Sequence, residues 1–400
     1  MSQRIIYWFR NDLRLHDNEG IYTASVNAGE VLPVYVFDPR QFAKTRFGFR
    51  RAGALRAQFL LESVAALRKK LREKGSDLLI RVGEPEKIIA QLAEDFGAEY
   101  VFTSKEIAPD ETHVESSLSK KLKVNNIDIK LFWMNTLVNA DRLPFPISKL
   151  PGDFNEFYAQ LSHIKIDSIF PEPDRINLPV EYTAGILPTL PMLGIDPHEI
   201  SPNEGSSPKS GGENVALESL RELVDSYPET LHENRTSDLL MEVKLSKWIS
   251  LGCLSPRLIL KLSSANNAGP VLLRALLRRD YFHWTLLRFG SRIFKPSGIN
   301  HDMSHIWNND VTIFEQWKLG QTPDDEINKL VIKLNETGYL TFEERSAVAG
   351  YLAHDLNVNW TWGAMYFESL LIDYNVSNSW CNWNYVAGVA GNTPKKQAFL

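Results

Sequence analysis

Short apolar runs alternate with amphipathic stretches over the first third of the chain. IIYWF (5–9), VLPVYVF (31–37), DLLIRV (77–82), YVFTS (100–104) and IKLFW (129–133) have the length and composition of buried strands. Between them, RAQFLLESVAALRKKLREK (56–74), PEKIIAQLAEDFG (85–97) and THVESSLSKKLK (112–123) repeat apolar residues at helical spacing. Such alternation predicts an N-terminal α/β domain with a doubly wound, Rossmann-like parallel sheet over 1–134. From about Asn135 the periodicity fades. Eight prolines fall between Phe170 and Pro208, and SSPKSGGEN follows, which reads as an interdomain linker over 135–214. Beyond Val215 apolar positions recur at helical spacing and no strand pattern appears, so 215–400 is expected to form an all-helical domain.

Composition narrows the class without naming a chemistry. The chain has 400 residues, 44% hydrophobic and 23% charged, as expected of a globular protein of two or three domains. A net charge of −5 argues against coating nucleic acid along the whole surface, while leaving a local basic groove open. Cys253 and Cys381 are too few for a disulfide framework or a four-cysteine zinc site, so a reducing, cytoplasmic setting is expected. No apolar run approaches a membrane span, and the strand pattern starting at MSQRIIYWF leaves no room for a targeting peptide.

Familiar local motifs are few. GxGxxG after the first strand, GxxxxGK[ST], HExxH and GxSxG are all missing. His301 and His305 have the i, i+4 spacing that would put two imidazoles on one helix face, but no third ligand lies near, so no metal site is assigned. Arg10, Asp12, Arg14, His16 and Asp17 follow the first strand and read as an ion-pair network holding its turn. Arginines 46, 50, 51 and 56, and again 274, 278, 279, 288 and 292 with Lys295, interleave with aromatics. That suits polyanion or stacked-ring binding, and equally a solvated helix face over an aromatic core.

Eight of the ten tryptophans lie beyond Val215, and four of them crowd WTWGAMYFESLLIDYNVSNSWCNW (360–383). Taken with YWFRNDLRLHDN (7–18), RAQFLLESVAALRKKLR, LPFPISKLPGDFNEFY (143–158), LSKWISLGCLSPR (245–257) and RRDYFHW (278–284), this segment resembles the cryptochrome/photolyase family, and within it the DASH cryptochromes. The resemblance spans nearly the whole chain. It implies an antenna domain, a linker and a helical FAD-binding domain. It also implies blue-light-driven electron transfer or light-driven repair of cyclobutane pyrimidine dimers, often in single-stranded DNA. A folate antenna (methenyltetrahydrofolate) follows in the same way, with Glu111 as its possible contact. A monomer with an unidentified signalling partner is expected.

The same resemblance assigns Trp383, Trp360 and Trp307 to an electron-hopping chain, from nearest the flavin to the surface, and leaves Trp362 and Trp380 as packing. It assigns Arg345 and Asp373 to an ion pair beside the flavin ring, and Tyr227, Lys244, Leu245, Ser246, Arg279, Asn375 and Ser379 to the rest of the FAD site. Several positions depart from the family pattern. Glu242 and Val243 replace hydroxyl residues at the diphosphate, Asn375 an acid, and Ser379 the asparagine near the ring. In the dimer pocket Ala275 replaces a glutamate, Arg278 a tryptophan, and Phe342 and Glu343 an Asn-Arg pair. GQTPDDEINKLVIKL replaces a stretch built on GRTGYP. Relatives also continue for several helices past the Trp-rich segment, which makes the helical domain short at its C-terminal end. Three readings follow: a flavoprotein with electron transfer but diverged from efficient repair; a photolyase, a carbon–carbon lyase acting on single-stranded DNA; or a binding protein that keeps the fold without the cofactor.

Overall fold

The computed structural model describes residues 3–197, 211–226, 245–264 and 268–391. Five parallel strands, β1 (Arg4–Phe9), β2 (Glu30–Phe37), β3 (Leu79–Val82), β4 (Tyr100–Ser104) and β5 (Asp128–Phe132), form one sheet in the order β3-β2-β1-β4-β5. Ile5 of the central strand pairs with Val31 on one side and Tyr100 on the other. Helices cover both faces, which is why the strands are runs of Val, Ile and aromatics rather than alternating sequences. The crossovers carry α1 (Glu19–Asn27), α2 (Ala54–Glu73), α3 (Pro85–Phe96) and α4 (Pro109–Val124). Helix α1 is too short to show a period in the sequence; Asn18 starts it, its side chain accepting from Ile21 N at 3.0 Å. Among its described residues the connector holds one α-helix, α5 (Phe154–Leu161), capped by Asp153.

The second half is helical. In order come α6 (Glu213–Ser226), α7 (Ser246–Ser250), α8 (Pro256–Ser263), α9 (Ala268–Phe289), α10 (Val311–Lys318), α11 (Asp325–Thr337) and α12 (Phe342–Gly350). A π-helical turn at Tyr351–Asp355 leads to α13 (Trp360–Leu370) and α14 (Val376–Val386). Helix α9 is buried over most of its surface, and among its buried residues are the polar Arg279, Asp280 and His283. The sequence GQTPDDEINKLVIKL forms the turn before α11 and most of that helix, which begins at an Asp324 cap. No helix among the described residues is long and apolar enough to cross a membrane.

The turn after β1 ties the sheet to the helices. Arg14, fully buried, donates to the carbonyls of Gly252 (2.8 Å), Met134 (2.9 Å) and His16 (3.1 Å). Asp17 pairs with Arg257 at 2.8 Å. Gly252 lies so close to the Asn11 carbonyl, at φ +67°, that any side chain there would overlap it. His16 Nε2 accepts from Ser255 N (3.1 Å), so Nδ1 carries the proton that it gives to Glu213. Glu213 also accepts from the backbone of Leu15 and His16, both at 3.0 Å, and from Lys70 at 2.7 Å. Burial pushes its carboxyl up, but the hydrogen bond from His16 and the Lys70 ammonium outweigh this and hold it at about 2.

A carboxyl depressed in the folded state stabilises the fold above its ordinary value near 4.5 and loses that contribution as pH falls towards 2. Urea unfolding between pH 5 and pH 2.5 is therefore expected to lose on the order of 2–3 kcal/mol through this group, and Glu213→Gln to flatten that limb. An unaltered acid limb in the variant would show that Glu213 does not carry it.

Candidate functional site

A cavity opens inside the helical half, enclosing about 980 Å³ of empty space, part of it continuous with solvent. Helices α7, α9, α12, α13 and α14 wall it. Ile249, Phe282, Ala349, Phe367, Leu371 and Val386 make most of the wall apolar. The polar groups sit where helix ends fix them. Thr341 begins α12 through a capping box with Glu344, and the next residue, Arg345, turns inward. Its Nη2 donates to both Asp373 oxygens, at 3.0 and 2.9 Å, and its Nε to the Leu340 carbonyl at 2.9 Å. Ser246 Oγ donates to Asp373 Oδ2 at 2.7 Å. Asn375 caps α14 by accepting from Asn378 N at 3.2 Å. Two buried polar atoms in residues of this wall, Trp383 Nε1 and Asn378 Oδ1, have no hydrogen-bond partner among the described residues.

Of the residues singled out in the sequence, Ser246, Arg279, Arg345, Asp373, Asn375, Ser379 and Trp383 line this one cavity, together with Ala275, Arg278 and Phe342. Leu245 is fully buried at the start of α7 but is not part of the wall. Tyr227, Glu242, Val243 and Lys244 lie outside the described residues. Burial pushes the Arg279 guanidinium down, with Asp280 and Glu106 opposing, and its Nη1 donates to the Asn135 carbonyl. At the mouth, the Arg278 guanidinium lies 4.9 Å from the centre of the Phe154 ring in α5. Arg274 lies 4.7 Å from Tyr158 and donates to Asn155 at 2.9 Å. Glu343 is exposed and does not line the cavity.

The tryptophans run outward from this wall. Gly363 in α13 carries no side chain where one would overlap the Trp383 ring, so that indole lies directly on the helix one turn past Trp360. Trp360 Nε1 and Trp307 Nε1 donate to the same carbonyl, Pro296, at 3.0 and 3.1 Å. One acceptor thus holds two indoles side by side. Trp307 is 8% exposed, its outer side covered by His305 with ring centres 4.0 Å apart. The helix-face reading of His301 and His305 is corrected here: the segment is not helical, His301 has φ +55°, and His305 hydrogen-bonds Asn357 at 2.8 Å. Among the described residues no cluster of His, Cys, Asp or Glu is disposed to hold a metal ion.

A second, larger cleft lies between the sheet and the helices, at the carboxyl ends of β1, β2 and β4. This is where the strand order reverses, the place where open α/β sheets offer a crevice to ligands. Trp8, Tyr35, Phe42, Phe294 and Trp380 supply aromatic walls, and Arg51 bridges Asp110 (3.0 Å) and Glu368 (3.3 Å). Glu111 lines the cleft, its carboxyl pushed up by burial. Tyr374 lines both spaces, under the Arg56 guanidinium at 4.5 Å. Asn378 and Asn382, three and seven residues past Asn375 and so on one face of α14, belong to the first cavity and were not singled out in the sequence. Their spacing was the available signal.

The sequence profile of the DNA photolyase family matches residues 5–174, and that of the FAD binding domain of DNA photolyase matches 272–399. A cryptochrome DASH of Gloeobacter violaceus is 36% identical over 405 residues, covering 98% of this chain and 80% of the relative. The cryptochrome DASH of Xenopus laevis is 37% identical over 413 residues, covering 99% and 78%. Among solved structures, a Synechocystis cryptochrome superposes with a TM-score of 0.90 at 32% identity, over 98% of this chain and 84% of that one.

Proposed function

The chain belongs to the cryptochrome/photolyase family, and from that premise we propose that it is a DASH-type flavoprotein in which blue light drives electron transfer and dimer repair is weak. The observation that carries this reading is the buried Arg345–Asp373 pair beside an apolar slot with two unpartnered polar atoms. A buried carboxylate and guanidinium are costly to desolvate, and an unmade buried hydrogen bond costs about 1–3 kcal/mol. A planar ring with hydrogen-bonding edges would give the Arg345–Asp373 pair a polar partner and fill the apolar slot. The residues therefore fit FAD better than a slot kept for packing, which disfavours the cofactor-free reading.

When bound, FAD would supply blue-light absorption and acceptance of one electron. The protein's own groups do the rest. Arg345 and Asp373 fix the orientation of the ring, Ser246 holds the Asp373 carboxylate in place, and the apolar wall keeps water away. Trp383, in the wall of the slot, would be the residue to donate an electron to a bound flavin, with Trp360 and then Trp307 placed to refill it. Indoles suit this because they are readily oxidised and large enough to touch through a packed core.

DNA is the substrate class of the family, and the mouth of the cavity bears on how well this chain takes it. Stacking a flipped base on an aromatic ring is worth about 1–3 kcal/mol per base, against the cost of unstacking it. Arg278 stands where a stacking ring is required, held on Phe154, and Ala275 offers no acceptor. We expect slow blue-light repair of a dimer-containing single-stranded oligonucleotide, raised by Ala275→Glu combined with Arg278→Trp. Rapid repair that the substitutions leave unchanged would favour the single-strand photolyase reading. The aromatic interdomain cleft, with Glu111 at its edge, supports assigning the antenna to that space, with a folate among its candidate occupants.

A further inference from the structure

Trp380 matches no position in the Trp383–Trp360–Trp307 chain, and packing alone would account for its 6% exposure. Its neighbours indicate more. The ring sits edge-on to Trp360, with centres 5.9 Å apart, and on its other side it lines the interdomain cleft beside Phe294, 4.9 Å away. Its Nε1 donates to Tyr374 Oη at 3.0 Å, and Tyr374 is the partition shared by the cavity and the cleft. An indole is therefore in contact with the middle of the chain and forms the wall of a second space that Trp307 does not line.

We propose that Trp380 is a second terminus of the tryptophan wire, opening into the interdomain cleft, so that an oxidised Trp360 is refilled either from Trp307 or from Trp380. The proposal rests on reading Trp383, Trp360 and Trp307 as a wire, with the light-excited flavin as the oxidant. The step moves one electron from Trp380 to the Trp360 radical cation; no covalent bond forms or breaks. The Trp380 proton stays on Nε1, because the phenol oxygen it faces is a very weak base, and burial keeps that phenol itself protonated. A planar aromatic one-electron donor seated in the cleft would meet the wire at this indole.

Electron paramagnetic resonance of the FAD-loaded protein under blue light tests this directly, since it reads a radical on the chain's own residue rather than turnover. With Trp307→Phe, a light-induced tryptophan radical is expected to persist. With Trp307→Phe and Trp380→Phe together it is expected to be lost while flavin remains bound. Should that pair of changes also release flavin, Trp307→Phe with Trp380→Tyr serves in its place and is expected to give a tyrosyl signature. Loss of the radical in Trp307→Phe alone, with flavin bound and the wild-type signal intact, would overturn the second terminus but leave the wire. No tryptophan radical in the wild type would overturn the wire and this arm together.

Discussion

Asp373→Asn is expected to cost the fold about 3–5 kcal/mol and to strip the cavity of most of its affinity for FAD. The change keeps the shape of the side chain and removes only its charge. Arg345 then keeps the Leu340 carbonyl and one amide oxygen as acceptors but loses its carboxylate counter-charge in the cavity wall, and Ser246 Oγ loses a carboxylate acceptor. The Arg345 side chain is 16% exposed, so water offsets part of the loss and the lower end of the range applies. Urea unfolding with and without FAD, together with equilibrium dialysis of the flavin, reads both effects. Unchanged stability and unchanged uptake would mean that the pair neither braces the cavity nor orients a ring.

Trp383→Phe separates chemistry from packing. Phenylalanine keeps an apolar ring against Gly363 and Phe367 but is not oxidised by an excited flavin. It also removes an indole N–H that has no partner among the described residues. The lost volume and the relieved donor oppose each other, so stability is expected to change by no more than about 1–2 kcal/mol. Light-driven formation of tryptophan radicals, in contrast, is expected to disappear, and accumulation of reduced flavin under blue light with an external reductant to slow many-fold. Photoreduction at the wild-type rate would show that electrons reach the cavity by a route avoiding Trp383.

The sheet was legible because strands buried on both faces must be continuous apolar runs, and the five runs in this sequence coincide with the five observed; the edge strand β5, read as buried, has only Phe132 buried. Helix α1 escaped because its two and a half turns depend on an Asn18 cap and on contacts with the sheet, not on a period of its own. Helix α5 hid in a proline-rich connector for a similar reason, and it contributes the Phe154 ring that holds Arg278. The cavity is a different case. No spacing rule joins Ser246, Arg345 and Asp373, which meet only in three dimensions; the family resemblance brought them together, and the structure gives their distances. Where the resemblance aligned Ser379 with a flavin-facing asparagine, it passed over Asn378, which also lines the cavity and whose side-chain oxygen has no partner among the described residues. The His16–Glu213 contact links residues 197 apart, and nothing local in either segment points to it.

The central claim is that this cavity holds a flavin wired to Trp383. The most direct measurement is the visible absorbance spectrum of the purified protein after incubation with FAD and desalting, before and after blue light. The account predicts a retained flavin band near one per chain that bleaches under blue light with reductant and returns in air. A colourless protein that takes up no FAD would contradict it.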